Sequence, residues 1–454
     1  MTKNLLTIDI RDKGAVQGSD CTYAIRQALA EPGAKLVRIP EGTWHTGPLD
    51  VRSNTTLLLE KGSRLLFSDD ENLYGPVFSR WEGVECYCMH PCLYIEEAEN
   101  VSIIGEGTLD GNGSKWWAKA VEKKMQSGPI TSIEKALASL NADYAEQPEG
   151  GGGRQSQYLR PPLLQAKSCS NLLIKSVTLV NSPFWTLHPI FCSSLRIENV
   201  RIINPYTAPN TDGIDIDSCT DVKVIGCFIN VGDDGIALKS GSGKDGMRRG
   251  KPTEKVLIKD CLVLGAHGGV VIGSETAGGI HDIQAFRCTF DGTDRGIRIK
   301  TRRQRGGSIR NLEFSDIVMR DTLCPVTVNM YYGCAAKEGS PLFSLESLPV
   351  EPSTPSISDI RISNVSSTGS RSSVGFLVGL PESPITGLEI KDSSFSLATE
   401  GLSPASESEM YKGLPDPKGR GLRCRNVNAR LVNVTISGMD KPIELESDAI
   451  VERK

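Results

Sequence analysis

The sequence has no apolar run near the roughly 18 residues that a membrane-spanning helix needs. Its opening stretch, MTKNLLTIDIRDKG, holds no sustained apolar segment of the kind that marks a secretory signal. A soluble protein with a packed core is therefore expected, working in the cytoplasm, or secreted if a signal precedes this sequence, and not at a membrane. An excess of one charge is also lacking. The 51 basic and 55 acidic side chains leave a formal net charge of −4, so wholesale polyelectrolyte attraction, as to nucleic acid, does not drive recognition. Thirteen cysteines are present, yet the paired C-x-x-C steps of a structural zinc site are missing. An odd cysteine count in a long chain fits reduced thiols better than a disulfide scaffold. Cys86, Cys88, His90 and Cys92 crowd into CYCMHPC. That spacing can present soft ligands on one side of an extended segment, but without C-x-x-C pairing it reads as a partly buried strand, and no metal site is assigned. What the chain has in quantity is glycine, 46 residues, with 25 prolines. Their joint share exceeds the ordinary ~12% and favours short strands and many turns.

From residue 95 onward one phrase returns: an Asn, Asp or other polar lead, a short alternating apolar segment, then a turn. NVSIIGEGTLDG (100–111), NLLIKSVTLVN (171–181), LRIENVRIIN (195–204), DVKVIGCFIN (221–230) and KVLIKDCLVL (255–264) are examples, and DIQAFRCTFD, NLEFSDIVMR, DIRISNVSST, GLEIKDSSFS and ARLVNVTISG continue the series. Alternation at period two means strands, and recurrence without helical periodicity means that each unit is one coil of a solenoid. A coil cannot bury its apolar face alone, so neighbours stack into a continuous core. The predicted fold is all-β, a right-handed parallel β-helix forming one domain over 1–454. Cys219, Cys227, Cys261 and Cys288 recur at similar places in the repeats, as inward packing residues would. Residues 1–50 form the cap, with a short amphipathic helix through Ala24, Ile25, Ala28 and Leu29 begun by Asp20 or Thr22. Insertions are expected at about 118–157, 335–356 and 403–420. The first has helical spacing and ends in a joint at Gly150 to Gly153.

Four segments, NTDGIDID, GDDGIALK, AHGGVVIG and DRGIRIKT, share a Gly-apolar-x-apolar core. Superposing Gly213, Gly235, Gly269 and Gly296 puts Ile214, Ile236, Val270 and Ile297 in one inward column and Ile216, Leu238, Ile272 and Ile299 in another. Asp212 and Asp234 then share a column, about 4.8 Å apart at ordinary strand spacing, with Asp233 and His267 in the next. Arg298 and Lys300 point outward. Crowded carboxylates push at least one pKa up, which keeps an acid protonated long enough to donate. Singly, NTDG and GDDG are ordinary turns, His267 a turn histidine, and Arg298 and Lys300 solvated surface. Their order on consecutive coils is what gives them chemical weight.

Asn210-Thr211-Asp212-Gly213, Gly232-Asp233-Asp234, His267-Gly268 and Arg298-Ile299-Lys300 resemble the four signatures of glycoside hydrolase family 28, the polygalacturonases and their relatives. The resemblance runs from about residue 15 to the C-terminus. It implies hydrolysis of an α-1,4-linked galacturonic acid chain with inversion and no cofactor or metal. By the same resemblance Asp233 is the general acid, Asp212 and Asp234 activate water, His267 tunes the acid, and Arg298 and Lys300 grip the substrate carboxylate beside the cut bond. The chain departs from the family pattern at Ala266, where glycine is usual, and in the second glycine after His267; both bear on the register of His267. It departs again at Gly235-Ile236, where many fungal members carry a cysteine.

A uronate polymer carries one negative charge per sugar, so the site needs local cations. Arg298, Lys300, Arg302, Arg303 and Arg305 supply them, with Lys239, Lys244, Arg248 and Arg249 from the coil before, and arginine suits carboxylates through its planar fork. Asn210 joins this substrate-binding set. Tyr331 and Tyr332 either stack on a sugar or pack at the surface. Trp185 and His188 in NSPFWTLHP either line the terminal sugar's pocket or belong to the core. WEGVE (81–85), NSPFWTLHP and HGGVVIGSE look more like bacterial exo-acting members than fungal endo-acting ones, and the insertions are large enough to wall a groove, so exo action on pectic poly- or oligosaccharide is expected. Three alternatives remain: a rhamnogalacturonan-type hydrolase, a pectate lyase with the same solenoid, and a non-catalytic carbohydrate-binding solenoid. The intact Arg-Ile-Lys run and the aspartates weigh against them.

Overall fold

The computed structural model describes residues 6–124, 126–144, 154–334, 336 and 339–454; the expected joint at Gly150 to Gly153 lies outside them. The chain folds as a right-handed parallel β-helix. It forms two compact units, Met1–Asp233 and Asp234–Lys454.

In the first unit each coil contributes up to three strands, and equivalent strands of successive coils pair in parallel. One stack runs Lys35–Ile39, Thr55–Leu59, Glu99–Gly105, Ser170–Lys175, Ser193–Glu198, Thr220–Ile225. A second runs from Gly42–Thr46 to Phe228–Asn230. The third holds Leu49–Asp50, Leu93–Glu96, Leu164–Lys167, Leu187–Ile190 and Ile214–Asp217. The alternating repeats of the sequence are the first two stacks, with apolar positions such as Val37, Leu57, Ile103, Ile174, Ile197 and Val224 buried inward.

The polar lead of each repeat has a backbone reason. Asn54, Asn100, Asn171, Ser194 and Asp221 turn the chain with φ near +55°, a region that Asn and Asp tolerate better than other non-glycine residues. Their side chains also form a ladder, with Asn171 Nδ2 donating to Asn100 Oδ1 at 2.7 Å and Asn100 Nδ2 to Asn54 Oδ1 at 3.0 Å. Inside, Cys169, Cys192 and Cys219 stack one coil above another, each thiol donating to a carbonyl of the preceding coil.

The cap helix is Thr22–Ala30, burying Ala24, Ile25, Ala28 and Leu29 as expected. The N-cap position is Cys21, and Asp20 reaches over it to accept from the Thr22 backbone N–H at 2.9 Å. The first insertion carries helices Ser114–Lys123 and Ser132–Leu140, the latter begun by a Thr131/Glu134 capping box. A hairpin, Pro76–Trp81 against Val84–Met89, is antiparallel and turns at Glu82 and Gly83, both with positive φ, the geometry of a two-residue hairpin loop. Cys86 and Cys88 are buried on its second strand.

The second unit repeats the plan. Thr253–Lys259, Ile280–Phe286, Ser308–Arg320, Ser356–Ser370, Ile385–Leu397 and Val427–Ser437 stack in parallel. From Ser308 on, two strands of a coil fuse into one, which pairs with both Ile280–Phe286 and Thr289–Asp291. The remaining stack is Asp234–Lys239, Gly268–Gly273, Arg295–Lys300, Cys324–Asn329, Gly375–Val378, Leu422–Arg425. Every residue of its first four strands is buried, so these strands are covered on their outer face as well as packed inside.

Candidate active site

In the first unit the NTDG loop is held from below by Asn204. Its Nδ2 donates to Thr186 Oγ1 (2.8 Å) and to the Thr211 carbonyl (3.2 Å), and its Oδ1 accepts from Ser182 N (2.9 Å). Thr186 N donates to the Asp212 carbonyl, and Asn210 takes φ +52°. This fixes Asp212, almost fully buried, just ahead of the strand Ile214–Asp217. Asp233 is half-buried, and the two carboxylates approach within 4.8 Å. Gly232 before it cannot be another residue without movement, because a Cβ there would lie 1.9 Å from the Tyr206 carbonyl oxygen.

At the far end of the strand that follows Asp212 is a buried polar chain that the sequence did not disclose. Arg80, on the hairpin and 1% exposed, donates through Nη1 to Asp217 Oδ1 at 2.7 Å and to Ser218 Oγ at 2.9 Å, and lies 4.3 Å over the Phe191 ring. Burial pushes the Asp217 carboxyl up, but the Arg80 charge and the nearby His188 outweigh it and hold the group at about 2. His188 Nδ1 is 3.0 Å from Gln165 Nε2, whose Oε1 accepts from Ser79 Oγ. His188 and Trp185 are thus interior groups, in edge contact at 4.7 Å, and Trp185 continues a stack with Phe184 and Trp81. Of their two expected roles, core packing is the one that the geometry fits.

Arg160 is a second missed residue. It is buried, donates to the carbonyls of Pro183 and Pro209 (2.6 and 2.7 Å) and weakly to Asn210 Oδ1 (3.4 Å), and lies over Phe184. Burial lowers its pKa to about 10, with Asp212 and Asp233 among the acids opposing that fall. Outside it opens a pocket walled by the first insertion. Trp81, Lys123, Lys124, Arg154, Arg160 and Asn210 line it, with Glu82 as the one carboxylate in its lining.

In the second unit the expected register holds. Asp234 aligns with Gly268, Ile236 with Val270 and Ile297, and Leu238 with Ile272 and Ile299. The second glycine after His267 also has its explanation: a Cβ on Gly269 would meet the Phe290 ring at 2.5 Å. His267 precedes the strand, a third exposed, with Nδ1 2.6 Å from Asp294 Oδ2. Burial pushes Asp294 up, yet the hydrogen bond with His267 and the Arg295 charge hold it below the ordinary range. Asp294 is thus an orienting partner that no sequence motif marks.

Asp234 is gripped on both oxygens, by Lys300 Nζ at 2.6 Å and Arg298 Nη1 at 3.2 Å. Burial raises its pKa, but Lys300, Arg298 and Lys239 lower it more, so the group stays ionised. Arg298 does not lie open as expected. It is 1% exposed, and Glu409 from the third insertion takes its Nε (3.1 Å) and Nη2 (2.8 Å). The Tyr332 ring sits 5.7 Å from the Arg298 guanidinium and 5.2 Å from Lys300 Nζ.

The open cationic floor is corrected in part: Lys244, Arg248 and Arg249 are exposed, whereas Lys239, Arg302, Arg303 and Arg305 are buried. Arg303 pairs with Glu382 and donates to carbonyls of Leu342 and Ser344, so it clamps the second insertion. Arg305 donates to Ser242 Oγ, and Lys239 pairs with buried Glu275 at 3.2 Å. Arg302 and Tyr331 are fully buried and bridge to each other; Tyr331 OH donates to the Ser344 carbonyl beneath Arg303. An exposed stacking role for Tyr331 is therefore not what the structure holds.

The sequence pattern of "Glycosyl hydrolases family 28" matches residues 146–408, more than half of the chain. A "Probable polygalacturonase" of Vitis vinifera is 28% identical over 388 residues, 84% of this chain and 70% of the relative. An "Exo-poly-alpha-D-galacturonosidase" of Dickeya chrysanthemi is 25% identical over 457 residues, covering 92% and 71%. Among solved structures, a hyperthermoactive exopolygalacturonase from Thermotoga maritima superposes with a TM-score of 0.78 at 28% identity, over 96% of this chain and 93% of that one. The buried aspartates, the Arg-Ile-Lys strand and the stacked coils thus sit in a chain that belongs to glycosyl hydrolases family 28.

Proposed function

We propose that the protein is an exo-acting hydrolase of α-1,4-linked galacturonic acid chains that inverts the anomeric carbon. One observation carries this reading: the pocket beside Asn210, two residues from Asp212, lined by Lys124 and Arg160 together with Lys123, paired with Glu134, and Arg154, paired with Glu82, so that cations outnumber carboxylates, with the helical insertion as its wall. Cations there match a uronate, and a wall at that place suits an enzyme that reads a chain end.

The chemistry follows from the groups available. A glycosidic oxygen leaves only if it is protonated as the C–O bond breaks, and a carboxylate must take a proton from the water attacking the opposite face. Asp233, half-buried and therefore reachable, donates the first proton. By the family resemblance Asp212 and Asp234 are the groups that activate the water, and Asp234, kept ionised by Lys300 and Arg298, is in the form that a base needs. His267, oriented by Asp294, tunes Asp233. The water's second proton stays on the new anomeric hydroxyl; after product leaves, the carboxylate base releases the proton that it took to solvent and Asp233 takes one up, which restores both groups.

A product profile on polygalacturonate tests the reading. Galacturonate or its dimer alone from the first minutes is expected, with the first product in the inverted anomeric form by proton NMR. A ladder of intermediate lengths would refute exo action, and an unsaturated, ultraviolet-absorbing product would refute hydrolysis.

A further inference from the structure

The third insertion lies across the outer face of the strands that carry Arg298 and Lys300. Arg295 holds it by donating to the Glu407 and Ser408 carbonyls (2.7 and 3.1 Å). Asn329 Nδ2 and Gly333 N both donate to the Met410 carbonyl, Lys412 N donates to the Tyr331 carbonyl, and Tyr411 bridges to Tyr332. At the centre is Glu409, with no exposed side-chain surface. Its oxygens take Arg298 Nε and Nη2, Thr327 Oγ1 (3.0 Å) and the Met410 N–H.

We infer that Glu409 is a positioning residue for the reaction: it fixes which edge of Arg298 faces Asp234 and offsets one cationic charge beside it. A guanidinium has five N–H donors in a rigid fork. Glu409 commits the Nε/Nη2 edge, and Nη1 is thereby turned onto Asp234 Oδ1. Arg298 and Lys300 together carry two positive charges, and Asp234 and Glu409 two negative ones. A substrate carboxylate therefore arrives at a balanced cluster and not at a bare cation pair. Without the Glu409 charge the cluster gains a net positive charge, which favours holding an anionic sugar in the ground state. Arg298 loses its fixed edge, and the Asp234 carboxylate loses the orientation that it needs toward the water. The outcome is a signature of opposite signs: turnover falls while the substrate binds as well as before or better.

The inference rests on the galacturonide-hydrolase reading, and the test separates the two. Glu409→Gln, Arg298→Lys and the double variant are assayed on trigalacturonate with the full-length protein. For Glu409→Gln a fall in kcat of at least tenfold is expected, with KM unchanged or lowered. Because the residue acts through Arg298, its replacement in the Arg298→Lys background is expected to lower kcat by less than twofold further. Equal losses in both backgrounds would overturn the inference, as would an unchanged kcat per folded molecule with only a lowered Tm. Should Glu409→Gln fold poorly by circular dichroism, Glu409→Asp takes its place in the same cycle, with the same expected and overturning results. A wild-type protein inactive on trigalacturonate would defeat the hydrolase reading itself.

Discussion

Replacing Arg80 by methionine removes the buried cation that anchors the hairpin to the coil of Asp212. Arg80 and Asp217 are 1% and 0% exposed and 2.7 Å apart, so Asp217 would be left buried without its cation. Breaking such a pair typically costs about 3–5 kcal/mol, because the surviving charge keeps its desolvation penalty. Burial pushes the Asp217 carboxyl up, yet it is held at about 2, against an ordinary 3.8, with the Arg80 charge the largest cause that opposes burial, which gives the pair the same sign. Methionine keeps much of the stem volume over Phe191, so little of the loss is packing. Urea unfolding at pH 7, followed by tryptophan fluorescence, should show Arg80→Met destabilised by about 3–5 kcal/mol at constant m-value. Arg80→Met combined with Asp217→Asn should recover at least about half of that loss, since no ion remains buried without its partner. A single-variant loss below about 1 kcal/mol, or a double variant as unstable as the sum of the singles, would refute the reasoning.

Glu409 sits at about 2 against an ordinary 4.5; burial pushes it up and the charges of Arg298 and Arg295 pull it down further. Its folded pKa lies below the unfolded one, so its stabilisation is complete above about pH 5 and is lost as pH falls toward 2. Glu409→Gln should flatten the pH dependence of unfolding in that window by about 3 kcal/mol; an unaltered slope would contradict it. Asp294→Asn removes the negative charge that faces His267 Nδ1 and offers an amide that can present a donor in its place; it should lower kcat on the order of ten- to a hundredfold with KM near wild type, and combining it with His267→Asn should add little. Gly232→Ala places a Cβ 1.9 Å from the Tyr206 carbonyl and should lower stability by more than about 2 kcal/mol, measured by thermal unfolding.

The coils were readable because one residue type performs a local task at a fixed interval: Asn or Asp takes the left-handed turn, and alternating Val, Ile and Leu fill the interior. The register of Asp234, Gly268, Val270 and Ile297 followed from glycines that packing requires. What escaped was set by distance along the chain. Arg80 meets Asp217 across 137 residues, and Arg298 meets Glu409 across 111; neither partner belongs to a local pattern. Arg298 and Lys300 read as outward, which is correct for a bare strand, but the third insertion covers that face. Glu409 shares a Ser- and Pro-rich stretch with Glu407, and nothing local tells the two apart. The hairpin was accessible, since Glu82-Gly83 divides two alternating runs, VFSRW and VECYC, in the manner of a two-residue turn.

The most direct test replaces the proposed acid alone. Asp233→Asn removes a proton donor from a half-buried position with little change in size, so the fold should survive with its circular dichroism and Tm intact. Hydrolysis of trigalacturonate should then fall by about 10²–10⁴-fold in kcat, the contribution of a general acid. A folded Asp233→Asn enzyme that keeps more than a tenth of wild-type turnover would contradict the account.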